Sequence, residues 1–268
     1  MSSPSEVVLF IHSTGTGPLL WSGVPDEAIG RRKKLLPANI GYPPNPPVER
    51  GRVVTAKDDA VEVAKAIPDD ASRVHVVAHS YGALVALHVM SALADRVASA
   101  FFFEPVLFGA LRTANDADTD PEAVRQAREF AANPWFLHDE QKGGREEWLE
   151  TFIDYWNRPG SWSRMPEPLR EATRALGWKM FQEVRSVFFD ETPFDRWVVT
   201  APTTVAVGER TTVVSRAMSR AFVRGRPNAR LVEVAGVNHM APLTHPAKVH
   251  EVLADHMARS NRGGGGEP

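Results

Sequence analysis

Short apolar runs rich in β-branched residues alternate along this chain with amphipathic stretches, the pattern of strands and helices taken in turn. Residues 7–11 read as a buried strand, and residues 34–40 as a shorter one that opens into a stiff, proline-rich loop over 41–47. Residues 58–67 predict a helix with Val61, Ala64 and Ile67 on one side. A strand at 74–78 follows, apolar enough to be buried on both faces. Next come a helix to about residue 94, in which Leu84, Leu87 and His88 recur at helical spacing, and a strand at 98–103. Strands alternating with helices argue for a parallel sheet covered by helices on both faces.

The alternation breaks after Glu104-Pro105. Residues 106–200 contain no convincing strand, only helix-like segments at 121–132, 145–156 and 168–188, and the stretch is longer than one crossover helix requires. It holds six of the seven tryptophans, and Trp148, Phe152 and Tyr155 follow helical spacing, as do Leu176, Met180 and Val184. We read an inserted helical cap whose aromatic side chains either line a pocket or pack its helices. Strands at 203–207 and 230–234 and helices at 213–223 and 246–257 then resume the pattern. The expected organisation is a core domain of residues 1–105 and 201–259, a cap of residues 106–200, and a disordered tail of residues 260–268 carrying four consecutive glycines.

Candidate chemistry begins at the corner between the 74–78 strand and the helix after it, Ala78-His79-Ser80-Tyr81-Gly82. A chain that reverses within so few residues strains the serine backbone and needs small neighbours two positions away on each side, here Ala78 and Gly82. The turn lifts the hydroxyl clear of the sheet, beside the free N–H groups and positive dipole end of the new helix. The same corner would also suit a serine that only caps an ordinary helix. These residues resemble the nucleophile elbow of the α/β-hydrolase family, G-x-S-x-G, with Ala78 in place of the first glycine.

A serine hydroxyl is a poor nucleophile until a base takes its proton. Among nine histidines His239 stands out, because Gly236-Val237-Asn238-His239-Met240 follows a predicted strand and precedes a predicted helix. In sequence and position this resembles the catalytic-histidine loop of the α/β-hydrolases, and the likeness spans residues 7–257. Ser80 and His239 are both expected on exposed turns. His79 must point away from the Ser80 hydroxyl, and His245 reads as helix-entry punctuation.

The resemblance also implies an acid. The family usually places an aspartate after the strand that here ends at Val207, but the chain reads Gly208-Glu209-Arg210-Thr211-Thr212, so Thr211 takes the aspartate's place. Part of the family draws its acid from the end of the preceding strand, where Glu104 stands. A glutamate ending an all-apolar strand is costly to bury unless something pairs with it, as an imidazolium would. Glu104 is the preferred acid and Glu209 the alternative. After the first strand, His12-Ser13-Thr14-Gly15, with Trp21 further on, resembles the family's H-G-x-G loop with Ser13 replacing the glycine. That match implies the backbone N–H groups of Thr14 and Tyr81 as oxyanion donors.

Composition narrows the field. Gly15 and Gly17 do not complete a dinucleotide fingerprint, since Leu20 stands where its last glycine belongs, and no histidine pair has ligand spacing with a third ligand nearby. No cofactor and no metal are expected. Basic and acidic residues nearly balance, 31 against 33, which argues against nucleic acid or a membrane surface as partner. Without cysteine there is no disulfide framework and no thiol nucleophile; with no signal-like start and no long apolar run, a cytoplasmic protein is expected.

The resemblance thus implies an α/β-hydrolase fold, a mostly parallel central sheet flanked by helices with an inserted helical cap. It implies a serine hydrolase in which Ser80 attacks, His239 shuttles the proton and Glu104 orients the histidine. The aromatic cap suggests a small-molecule substrate, an uncharged, mostly apolar carboxylic ester, thioester or lactone. Carbon–carbon bond hydrolysis on the same fold, or a noncatalytic receptor or scaffold, are the alternatives. Dehalogenases and epoxide hydrolases of this fold use an aspartate where Ser80 stands. The sequence does not specify an oligomeric state.

Overall fold

The computed structural model describes residues 5–114 and 119–262. In chain order its elements are β1 (Ser5–Ile11), β2 (Lys33–Leu35), α1 (Ala56–Ala64), β3 (Ala71–His79), α2 (Tyr81–Leu93) and β4 (Val97–Phe103). A helical stretch follows: α3 (Phe108–Thr113), α4 (Pro121–Ala132), α5 (Glu146–Trp156), α6 (Ser161–Arg164) and α7 (Glu167–Phe189). The chain closes with β5 (Thr203–Gly208), α8 (Val213–Val223), β6 (Ala229–Val234), α9 (Ala241–Thr244) and α10 (Pro246–Arg262).

The six strands form one sheet in the order β2-β1-β3-β4-β5-β6, and every neighbouring pair is parallel. Period-two alternation divides the strands between two cores. Val7, Leu9, Ile11, Val74, Val76 and Phe102 face α1, α2 and α8, and the aromatic residues of the helical stretch belong to the same cluster. Val8, Phe10, Val77, Phe101 and Phe103 face the other way, against Val249, Leu253 and Met257 of α10.

Several boundaries differ from the sequence reading, each for a local reason. β2 stops at Leu35, before Pro37, whose missing N–H would interrupt a ladder. α1 starts earlier than residue 58, because Thr55 and Asp58 form a reciprocal capping box. The short helix α3 had no clear periodic signal. Of the tail expected over 260–268, residues 260–262 belong to a helix instead: α10 runs through Arg262, the Ser260 hydroxyl donates to the His256 carbonyl, and Arg32 donates to Asn261. Residues 263–268 lie outside the described part.

Behind the sheet a buried polar chain replaces apolar packing. The Ser99 hydroxyl joins His75 Nδ1, at 2.7 Å, to His256 Nε2, at 2.9 Å, and His256 Nδ1 reaches the Thr204 hydroxyl at 2.9 Å. Burial, with the nearby Arg32 charge, lowers the pKa of His75 to about 4; burial, with the neighbouring His75, lowers that of His256 to about 3. Both rings are therefore neutral in the folded protein at neutral pH, while in the unfolded chain they titrate near the ordinary histidine value. Unfolding takes up protons between these values, so stability is present above pH ~6.5 and is lost as pH falls towards 4. The expected loss between pH 7 and pH 5 is on the order of 2 kcal/mol per histidine. Urea unfolding at the two pH values measures it, and a flat profile would contradict the neutral assignment.

Candidate active site

Ser80 sits at the tip of the β3–α2 corner with φ 55° and ψ −123°, a conformation that costs a non-glycine residue about 1–3 kcal/mol. The cause is the approach of α2 to β1: a Cβ on Gly82 would lie 2.5 Å from the His12 carbonyl oxygen and 2.8 Å from that of Ile11. Only glycine permits that contact. The Ser80 N–H donates to the Phe103 carbonyl and its own carbonyl accepts from Ala83 and Val106, so the backbone is held on both sides. Its side chain makes no capping bond to α2. The hydroxyl faces His239 instead, with Oγ 3.0 Å from Nε2.

The other ring nitrogen of His239, Nδ1, lies 2.7 Å from Glu104 Oε2. Glu104 is fully buried at the end of β4 and also accepts from the Gly208 N–H, the Thr211 hydroxyl and the Ser215 hydroxyl, at 2.8, 2.6 and 2.8 Å. Burial pushes its pKa up, but the bonds from His239, Thr211 and Gly208 outweigh burial and hold it below the usual glutamate value. Glu209, the alternative acid, accepts from the Gly236 N–H on the exposed side and does not reach His239. Thr211, which stands where an aspartate was expected, serves the carboxylate as a donor.

His79 points away from the serine hydroxyl: its Nε2–H donates to the His239 carbonyl at 2.9 Å, so the ring fixes the backbone of the histidine loop. Thr14 and Tyr81 border one cavity together with Ser80. The expectation of exposed turns fails, because Ser80 and His239 are both buried. The Trp156 indole, at the end of α5, stacks on the His239 ring with centroids 3.9 Å apart and covers it.

Two cavities meet at Ser80. One is a narrow pocket of about 30 Å³ walled by apolar side chains such as Phe108, Phe136, Val184 and Val187. The other is a wider cleft of about 540 Å³ between the His239 loop and the helical stretch. Trp156 and Phe152 border both. Other tryptophans pack instead of lining the site. Trp148 is sandwiched between Phe136 and Phe152, and Trp178 donates to the Arg52 carbonyl beneath the Arg50 guanidinium. Among the described residues no group of three or more histidines or carboxylates could hold a metal ion.

The sequence profile of the alpha/beta hydrolase family matches residues 8–252. The chain belongs to that family. A search of curated proteins finds no match. Among solved structures, a haloalkane dehalogenase from Agrobacterium tumefaciens is similar at 20% identity, over 97% of this chain and 91% of that one, with a TM-score of 0.62. A thermophilic esterase from Thermogutta terrifontis is similar at 17% identity, over 95% and 90%, with a TM-score of 0.62. A peroxisomal alpha-beta-hydrolase from Saccharomyces cerevisiae is similar at 16% identity, over 98% and 79%, with a TM-score of 0.60. At such identities the likeness is one of fold.

In this α/β-hydrolase a buried ionic cluster, not foreseen from the sequence, supports the loop after β1. Lys179 on α7 donates to Asp59 at 2.6 Å and to Glu183 at 2.8 Å, all three side chains being almost wholly buried. The Tyr42 hydroxyl donates to Glu183 and accepts from the Gly15 N–H, both at 2.8 Å, while the Tyr81 hydroxyl donates to Asp59. The residue after Thr14 and the residue after Ser80 are thus tied to one cluster. Burial pushes the Asp59 carboxyl up, with the Lys179 charge opposing it. In sequence, Lys179 and Glu183 look like a surface pair four residues apart, and nothing local points to Asp59.

Removing the ammonium would leave two carboxylates buried without a cation. Lys179→Met is expected to destabilise the fold by about 3–5 kcal/mol at neutral pH. Part of this deficit relative to wild type should vanish at lower pH, where the stranded carboxyls protonate. Paired denaturant titrations at pH 7 and pH 5 test both points.

Proposed function

We propose that this α/β-hydrolase is a serine hydrolase of uncharged, mostly apolar carboxylic esters, thioesters or lactones. The observation that carries the reading is the continuous hydrogen-bonded line from Ser80 Oγ through His239 to Glu104, at 3.0 and 2.7 Å, starting from a serine whose side chain has no capping role. Ser80 Oγ attacks the carbonyl carbon while its proton passes to His239 Nε2, and the imidazolium so formed is stabilised by Glu104. The backbone N–H groups of Thr14 and Tyr81 receive the oxyanion. His239 returns the proton to the leaving oxygen or sulfur, leaving an acyl-serine. Water, deprotonated by His239, then releases the acid and restores Ser80.

The helical stretch acts in this reading as a cap that excludes bulk water. Apolar walls favour an uncharged substrate. Serine at the elbow, where dehalogenases of this fold carry aspartate, favours acyl transfer over halide displacement.

A fluorophosphonate probe should label Ser80, with the adduct located by peptide mass spectrometry. Ser80→Ala and His239→Ala should each abolish nearly all ester hydrolysis, and the double variant should lose little more, because the members act as a unit. Substantial turnover by folded Ser80→Ala protein would sink the mechanism.

Glu104→Gln should lower kcat by about a hundredfold or more, since an amide cannot stabilise the imidazolium and brings an NH₂ group against the hydroxyls of Thr211 and Ser215. Glu209→Gln should change kcat little. Rates measured on both variants, with folding checked by circular dichroism, decide which carboxylate serves His239.

A further inference from the structure

We propose that the two cavities divide the substrate unequally, so that this enzyme cleaves short-chain acyl esters or thioesters of bulky apolar leaving groups. The inference rests on the serine-hydrolase reading and specifies its substrate. In the tetrahedral intermediate the former carbonyl carbon carries four groups: Ser80 Oγ, the oxyanion, the leaving atom and the acyl chain. The leaving atom must accept a proton from His239 Nε2 as its bond to carbon breaks, so it lies on the side that His239 borders. His239 lines the wide cleft and not the narrow pocket. The oxyanion turns to the N–H groups of Thr14 and Tyr81, and Tyr81 lines only the narrow pocket. The acyl chain takes the remaining direction, into the narrow pocket.

Each compartment then sets a size. A volume of about 30 Å³ is a small fraction of the roughly 150 Å³ of a cavity that takes a benzene ring, room for a short acyl chain and too small for a long one. One side of its wall is Val184 and Val187 of α7, the helix that Lys179 ties to Asp59 and Glu183 ties to Tyr42. The cleft, at about 540 Å³, is far larger. Leu19, Leu169 and Leu243 are large apolar side chains left exposed, and all three border it. Such a rim suits a leaving group with extensive apolar surface. Trp156 and Phe152 stand between the compartments.

The test compares kcat/KM for 2-naphthyl acetate, 2-naphthyl butanoate, 2-naphthyl octanoate and methyl acetate, with fluorophosphonate labelling of Ser80 run alongside. Naphthyl acetate should exceed naphthyl octanoate by at least about tenfold and should also exceed methyl acetate. Val187→Ala, which enlarges only the narrow pocket, should raise the butanoate-to-acetate ratio several-fold. Leu169→Asp, on the cleft rim, should lower the naphthyl-to-methyl ratio several-fold and leave the acyl ratio in place. An octanoate as good as the acetate overturns the proposal, as does a Val187→Ala variant that changes leaving-group preference but not acyl preference. Labelled enzyme that hydrolyses none of these esters overturns it too, whereas failure of Ser80 to react with the probe overturns the serine reading itself.

Discussion

The contact between the first turn of α2 and the end of β1 sets the geometry on which the candidate site depends. With Gly82 pressed against the carbonyls of Ile11 and His12, the chain between β3 and α2 has no room for a relaxed turn, and Ser80 takes a positive φ. The same approach brings the start of α2 beside the loop that carries Thr14. One strand over, Glu104 also has a positive φ, of 45°, as the chain leaves β4. Two strained residues at adjacent strand ends place a hydroxyl and a carboxylate on either side of one imidazole. The strain is sustained because the backbone of each is bonded to its neighbour strand: Ser80 N–H to Phe103, and Glu104 N–H to Ala206.

What could be read from the sequence was whatever depends on short-range pattern. The strands of the parallel sheet announce themselves by runs of β-branched residues, and the elbow by small residues flanking Ser80. The histidine loop declares itself by its place between β6 and α10. Glu104 was legible because a carboxylate at the end of an apolar strand demands a partner. The hidden features depend on residues far apart in the chain. Tyr42 looks like part of a proline-rich loop, yet its hydroxyl bridges Gly15 and Glu183. The His239 ring is covered by Trp156, whose spacing within α5 shows a helix face but not what that face covers. Trp148 lies on the same helix and packs internally, so aromatic content alone could not separate lining from packing.

The carboxylate and the hydroxyl around His239 also show how a motif's position and its chemistry can part company. Thr211, three residues beyond β5, carries no charge to offer His239, but its hydroxyl donates to Glu104, the carboxylate bonded to that ring. Together with His239, the Gly208 amide and Ser215 it offsets the upward push of burial on the Glu104 carboxyl. Three donors from the β5–α8 segment thus supply what water would supply to an exposed glutamate.

The buried lysine on α7 bears on how molecules enter and leave. Swinging α7 away from the core would part Lys179 from Asp59 and break the line from Glu183 through Tyr42 to Gly15, stranding charges in an apolar interface until water reached them. The helix therefore behaves as a fixed rail, unlike a hinged door. The cleft at Ser80 is bordered instead by Leu169 and Leu243 on its rim and by Trp156 and Met165 within it.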